Sequence, residues 1–251
     1  MHTMKLLYVG ESWVIHSVHM KGFDAFTTTT YEEGGKSLKD AFESGGIEVD
    51  YMPAHIAASS FPDTVEKLAV YDVVVFSDIG SNTFLLHQDT FSKGKITPNR
   101  LKIVQEYVEK GGSFAMMGGY FSFQGIDGKA KYAQSPIEEI LPVHMMETDD
   151  RLEAPEGVIP EIMMDAHPIL EGVSKEWPHF LGYNILREKE GSQVIAKCGD
   201  HVFMAAGTYG KGRTFAFASD IAPHWGSPKF VNWSCYNTLF VNIAKWLAHN
   251  K

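Results

Sequence analysis

Cysteine is scarce, basic residues are outnumbered and long apolar runs are missing, and each shortage closes off a class of function. Two cysteines, Cys198 and Cys235, in 251 residues provide neither a disulfide framework nor a CxxC spacing for structural zinc. They read as incidental thiols of a reducing compartment. Against 31 Asp and Glu stand only 22 Lys and Arg, a formal charge of -9, so the clustered cations that nucleic acid or an anionic membrane needs are absent. Neither partner is expected. No stretch approaches the roughly 18 apolar residues of a membrane span. Met1-His2-Thr3-Met4-Lys5 also lacks the apolar segment of a secretory signal, and the expected location is the cytoplasm.

What is present can build a sizeable core: 44% of residues are hydrophobic and 21% charged, which fits one α/β domain over residues 1–251. The organising stretch runs from Gly111 to Gly125. Its apolar run Phe114 to Met117 enters the pair Gly118-Gly119 and leaves through Tyr120 and Phe121, the pattern of a buried strand ending in a tight, closely approached turn. In an open α/β sheet, ligands collect beyond the carboxyl ends of such strands. A nucleophile elbow would put Ser or Cys at this point; here two glycines stand.

Other strands read similarly. Lys5 to Val9 leads into Gly10-Glu11, Ile47 to Met52 into Pro53-Ala54-His55, and the unbroken apolar run Val73 to Phe76 into Ser77-Asp78, with Asn82 just beyond. Between them, Gly35 to Ser44 has an amphipathic helical pattern closed by Gly45-Gly46, and Thr97-Pro98 places threonine at an N-cap with proline at N1 of a helix to Gly111. Strands alternating with helices give a doubly wound, mostly parallel sheet. Ser135-Pro136-Ile137-Glu138 is a capping box. Residues 143–192 show no clear period. Gln193 to Lys197, Val202 to Ala206 and Thr214 to Ala218 read as late strands, the last two joined by a glycine-rich turn into an antiparallel hairpin, and a closing helix is expected from about Asn232 to His249.

Two motifs fail on inspection. Gly34-Gly35-Lys36-Ser37 lacks the glycine a phosphate loop needs at position 30, where Thr30 stands, and no buried strand precedes it. His16 and His19 have a metal-like spacing in a stretch read as a loop, but no third ligand lies near. No metal and no cofactor are called for.

Lys21-Gly22-Phe23-Asp24, Ser77-Asp78-Ile79-Gly80, Pro98-Asn99-Arg100-Leu101, Gly118-Gly119-Tyr120 with Ser122-Phe123-Gln124-Gly125, Gly128-Lys129-Ala130, His167-Pro168-Ile169, Leu181-Gly182-Tyr183-Asn184 and Gly210-Lys211-Gly212-Arg213 through Asp220 to Trp225 together carry a resemblance. Across nearly its whole length the chain resembles the uncharacterised family of putative glutamine amidotransferases, of the class I glutamine amidotransferase-like fold. The resemblance implies a flavodoxin-like three-layer αβα sandwich with its crevice at the strand carboxyl ends. It also implies that a partner synthase can stand behind such a domain. A working glutaminase of this class needs an elbow Cys activated by a His that a carboxylate orients. The elbow here is Gly118-Gly119-Tyr120. His224 falls where the triad His would, but Gly226 stands two residues on, where a Glu is needed.

The rim therefore keeps Glu11, Asp78, Asn82, Tyr120, Asp220 and His224, with Gly118, Gly119 and Trp225 beside them. Four roles fit these residue types. His224 with Asp220 or Glu11 can act as acid and base in a hydrolase; the group can bind a small polar metabolite, with backbone N–H groups of Gly119 and Tyr120 on a ligand oxygen; Glu11, Asp78 and His224 can hold a divalent metal; or the residues bond one another in a vestigial crevice. The expectation adopted is a metabolite-binding protein without glutaminase activity, the hydrolase being the alternative. Self-association is left open.

Overall fold

The run Val73–Phe76 has no polar residue to turn toward water, and it becomes the strand Val73–Ser77, buried at every position. Lys5–Gly10 lies parallel to it on one side and Ser113–Met117 on the other. Glu48–Met52 extends the sheet beyond Lys5–Gly10, and Gly212–Phe217 extends it beyond Ser113–Met117, both parallel. The remaining edge is antiparallel: His201–Tyr209, then Gln193–Cys198, then Glu161–Ile162. A computed structural model describes residues 3–248 in this arrangement. It is a flavodoxin-like αβα sandwich, and its helices flank a mostly parallel sheet.

Lys36–Ser44 packs on the long helix Tyr236–Leu247, where Phe42 meets Phe240 edge-on at 6.4 Å. Arg100–Glu109 packs with Val65–Leu68 and Pro136–Ile140. Under these, Phe76 stacks on Phe84 at 4.3 Å while Phe61 and Phe114 meet it edge-on, the tilted and stacked ring geometries that add to area burial. Arg100 is buried, and Asp63 acts on it only by charge, with no ion pair to the guanidinium among the described residues. Its guanidinium donates instead to the carbonyls of Phe84, Thr83, Ala57 and Ala58 at 2.7 to 3.1 Å, closing the carboxyl ends of Ala54–Ser60 and Asn82–Leu85.

Four readings change. The helix after Pro98 is capped by Asn99, whose side chain accepts from Leu101 N and Lys102 N, and it spans Arg100–Glu109; Thr97 lies outside because Asn99 offers the better-placed oxygen. Residues 12–33, read as a loop with a polar threonine run, form a long hairpin of Ser12–Lys21 and Asp24–Glu33 turning at Gly22. His16 and His19 sit three apart on a strand, so their rings point to opposite faces and share no ligand. In the stretch read as irregular, Arg151–Val158 pairs antiparallel with Phe180–Asn184. The closing helix spans Tyr236–Leu247, and the expectation at His249 lies outside the described residues.

Candidate functional site

Because the strands ending at Gly10, Ser77, Met117 and Phe217 are mutually parallel, the residues that follow them share one rim. Those residues are Glu11, Asp78, Gly118-Gly119-Tyr120 and the segment Ser219 to His224. Glu11 and Asp78 hold φ of 50° and 44°, a left-handed backbone that disfavours any side chain and recurs at functional turns. Between them opens a crevice of about 190 Å³ lined by Glu11, Trp13, Asp78, Tyr120, Asp220 and His224, with Ala222 and Pro223.

The carboxylates converge on Gly119. A Cβ on that glycine would stand 2.6 Å from Asp220 Oδ1 and 2.8 Å from Asp78 Oδ1. Asp78 Oδ1 accepts the Phe121 N–H at 2.7 Å. Burial, together with the charge of Asp220, nevertheless pushes its pKa up to about 6. Glu11 lies deeper, accepts from Ser77 Oγ, and is driven well above the usual carboxylate range first by burial and then by Asp78 and Asp220. Tyr51 braces this corner, its hydroxyl donating to Gly10 O at 3.0 Å and Glu11 O at 3.2 Å.

Asp220 Oδ2 accepts from His224 Nδ1 at 2.8 Å and from Trp225 N at 3.0 Å. That hydrogen bond outweighs burial and raises the His224 pKa. With its proton on Nδ1, the ring leaves Nε2 for a ligand or a water. The His224 side chain keeps 46% of its surface exposed. Tyr120 meets its ring edge-on at 4.4 Å.

Tyr120 is itself fixed from three sides. Its hydroxyl donates to Glu153 Oε1 at 2.8 Å, the Arg151 guanidinium lies 5.0 Å from its ring centre, and Trp225 contacts it edge-on. Trp225 Nε1 donates to the other oxygen of Glu153 at 2.9 Å, so one carboxylate spans both aromatics. Glu153 went unread because it comes from Arg151–Val158, which the sequence did not resolve as a strand. Trp13 was also missed as a lining residue; a lone aromatic two positions after Glu11 was its signal.

Several expected members stand elsewhere. Asn82 begins a short helix with its side chain exposed and takes no part in the crevice. Gly118 packs against the neighbouring strand, where a Cβ would stand 2.5 Å from the Ala218 carbonyl. Trp225 is 1% exposed, so it supports Tyr120 from within, and Trp13 is the aromatic at the mouth. The Gly119 N–H, expected to face a ligand oxygen, donates to Asn184 Oδ1 at 3.0 Å. Asn184 returns a bond to Gly119 O and is held by Asp150, which also accepts from Gln124 N and Gly125 N. The turn is thus locked by Asp150, which the sequence did not single out, and by Asn184, which entered only as part of the family resemblance. Cys198 is buried, its thiol pushed up to about 12, and Cys235 lies against Gly172 and Ser174; neither lines the crevice. Among the described residues no three His, Cys, Asp or Glu side chains are grouped to hold a metal ion.

A mostly parallel sheet whose polar residues gather beyond its strand ends is the architecture of the class I glutamine amidotransferase-like proteins. Residues 5–249 match the family described as "Putative glutamine amidotransferase", and the chain belongs to that family. Two solved structures are similar throughout. The Cytoplasmic Protein STM1381 from Salmonella typhimurium LT2 is 48% identical with a TM-score of 0.94, covering 97% of this chain and 99% of its own. The Cytoplasmic Protein STM3548 from Salmonella typhimurium is 44% identical with the same TM-score and coverage. A ThuA-like protein from Bacteroides uniformis, 13% identical with a TM-score of 0.53 over 97% of this chain and 91% of its own, shares the fold. No functionally curated protein matches the sequence. No helix among the described residues is long and apolar enough to cross a membrane.

Proposed function

We propose that the protein is a cytoplasmic, single-domain binder of a small hydroxyl-rich metabolite of sugar-like chemistry, and that it has no glutaminase activity. The observation that carries this reading is the convergence of Glu11, Asp78, Asp220 and His224 around Gly119 beside the aromatic rings of Trp13 and Tyr120. Carboxylates accept from ligand hydroxyls with charge-assisted strength, and a carboxyl that holds its proton near neutrality donates as well. Aromatic walls cover the apolar face of a ring. The location draws on the two similar proteins from Salmonella typhimurium, both named cytoplasmic proteins. An acidic surface argues against nucleic acid, and no cofactor is needed for binding.

Calorimetric titration with a panel of monosaccharides, polyols and amino sugars tests this. One class should bind, and Asp220→Asn should weaken it at least tenfold; a panel without binders, or binding indifferent to Asp220→Asn and Asp78→Asn, overturns the reading. Ammonia release from glutamine should stay at background, and alkylating Cys198 and Cys235 should leave binding unchanged.

The pairing of His224 with Asp220 favours a second reading, a hydrolase. His224 Nε2 would take a proton from water as Asp220 steadies the resulting imidazolium. Turnover abolished by His224→Ala with binding retained selects this enzyme over a pure binder.

A further inference from the structure

The hairpin Ser12–Lys21 and Asp24–Glu33 is held to the rest of the molecule mainly at its base. Gly34 N donates to Glu11 O at 2.8 Å, and Tyr31 meets His55 edge-on at 5.1 Å. Beyond that point nearly every residue of both strands is exposed. Its composition does not suit water. Val14, Val18 and Met20 share one face with Tyr31, while Ile15 and Phe26 occupy the other with Trp13, and Phe23 stands fully exposed at the tip. A two-stranded ribbon alone is marginally stable. Internal contacts add little: the His19 ring stacks on Phe26 at 4.5 Å, and His16 and His19 bond Thr29 and Thr28.

The devices that normally protect an exposed strand edge are missing too. The ladder runs without a bulge from Ser12 opposite Glu33 to Lys21 opposite Asp24. Neither strand contains proline, and the first has no charge before Lys21. Charge along the arm is polarised: Glu11, Glu32 and Glu33 lie at the base and Lys21 at the tip, partly offset by Asp24. Two arms paired antiparallel along their first strands would bring each Lys21 to the other's acidic base. Pairing along the second strands would instead set Asp24 against Glu32 and Glu33, which repel. At about 3.4 Å per residue each arm is roughly 34 Å long and two strands wide. Edge pairing of two such arms joins their ladders and sets Val14, Val18 and Met20 of one first strand beside those of the other, which are the cross-strand contacts that would hold the pair.

We infer that the hairpin is a dimerisation arm: a second copy of the chain pairs its own arm antiparallel along Ser12–Lys21, and each tip reaches the other copy's acidic crevice mouth beside Trp13. The pairing itself does not depend on the crevice binding a metabolite; only the significance of the tip's position rests on that reading.

Light scattering coupled to size-exclusion chromatography of the full chain tests the pairing. At about 20 µM the mass should be twice the 28.0 kDa of the chain, and the Val18→Lys/Met20→Lys variant should weaken dimerisation by roughly 100-fold or more, as expected when hot-spot contacts are lost. Its far-ultraviolet circular dichroism should match the parent. Independently, His16→Cys near the strand midpoint, made with Cys198→Ser and Cys235→Ser, should cross-link to its counterpart under mild oxidation. A mass of 28.0 kDa at every concentration, a dimer that survives both lysines, or no cross-link at position 16 overturns the inference. A dimer that binds no sugar-like ligand would sink the site reading and leave this one standing.

Discussion

Two strands of similar local character meet opposite fates. Val73–Ser77 and Asp24–Glu33 are both rich in β-branched and aromatic residues, yet the first is buried at every position and the second is exposed at every position. Local preference therefore accounts for neither alone. The inner strand is ordered by neighbours on both edges and helices on both faces. The outer one has a ladder, a few cross-strand pairs and no core.

The sharpest way to break the comparison is to truncate one ring in each region. Phe76→Ala removes a fully packed side chain and should cost about 3–5 kcal/mol in urea denaturation, whereas Phe26→Ala should change the stability of the monomer by less than ~0.5 kcal/mol. Equal costs would mean that the arm packs on its own chain in solution.

The next effect separates the arm from the rim by pH. Asp78 titrates at about 6 in the folded protein against about 3.9 unfolded, so the folded state holds a proton that the unfolded chain releases. Stability from this group is complete below about pH 3.9 and is lost as pH rises through about 6. Glu11 acts in the same direction. Asp78→Asn should therefore stabilise the protein at pH 7.5, relative to pH 4, by about 2 kcal/mol in thermal unfolding, while weakening ligand binding. Val18→Lys/Met20→Lys should leave the shape of the pH profile unchanged.

A smaller effect is expected at His224. Its raised pKa stabilises the fold below about pH 6.5 and ceases to do so once pH rises through the folded value. His224→Ala should cost less than ~1 kcal/mol at pH 6, since the side chain is half exposed and the pair is screened, and close to nothing at pH 9. Smallest is Asn82→Ala, which should alter neither stability nor binding by more than ~0.5 kcal/mol.

The sequence made the sheet legible where a strand is apolar throughout, as at Val73–Phe76 and Phe114–Met117, because only burial on both faces tolerates such runs. It made Glu11, Asp78 and Asp220 legible for the same reason: each follows a readable strand. The hairpin was obscure because Thr27 to Thr30 reads as polar, although threonine favours strands, and because its pattern buries nothing. Asn99 lost to Thr97 because the Thr-Pro pair mimics a helix start. Glu153, Asp150 and the role of Asn184 were invisible for a different reason. Their partners Trp225, Gln124, Gly125 and Gly119 lie 25 to 72 positions away, and no local period reports such a distance.

The two glycines at the end of Ser113–Met117 also bear on which substitutions the turn can accept. Any side chain at Gly118 would strike the Ala218 carbonyl, and any at Gly119, where φ is 139°, would enter the space held by Asp78 and Asp220. A single codon change to cysteine or serine at either position therefore damages the fold or the carboxylate cluster before it supplies a nucleophile. Making room for one would require Asp78 and Asp220 to withdraw, and these two carboxylates are part of the crevice lining. The turn is occupied volume: the carboxylates of Asp78 and Asp220 fill the space a side chain at position 119 would take, so the acid cluster and a nucleophile on this turn exclude one another.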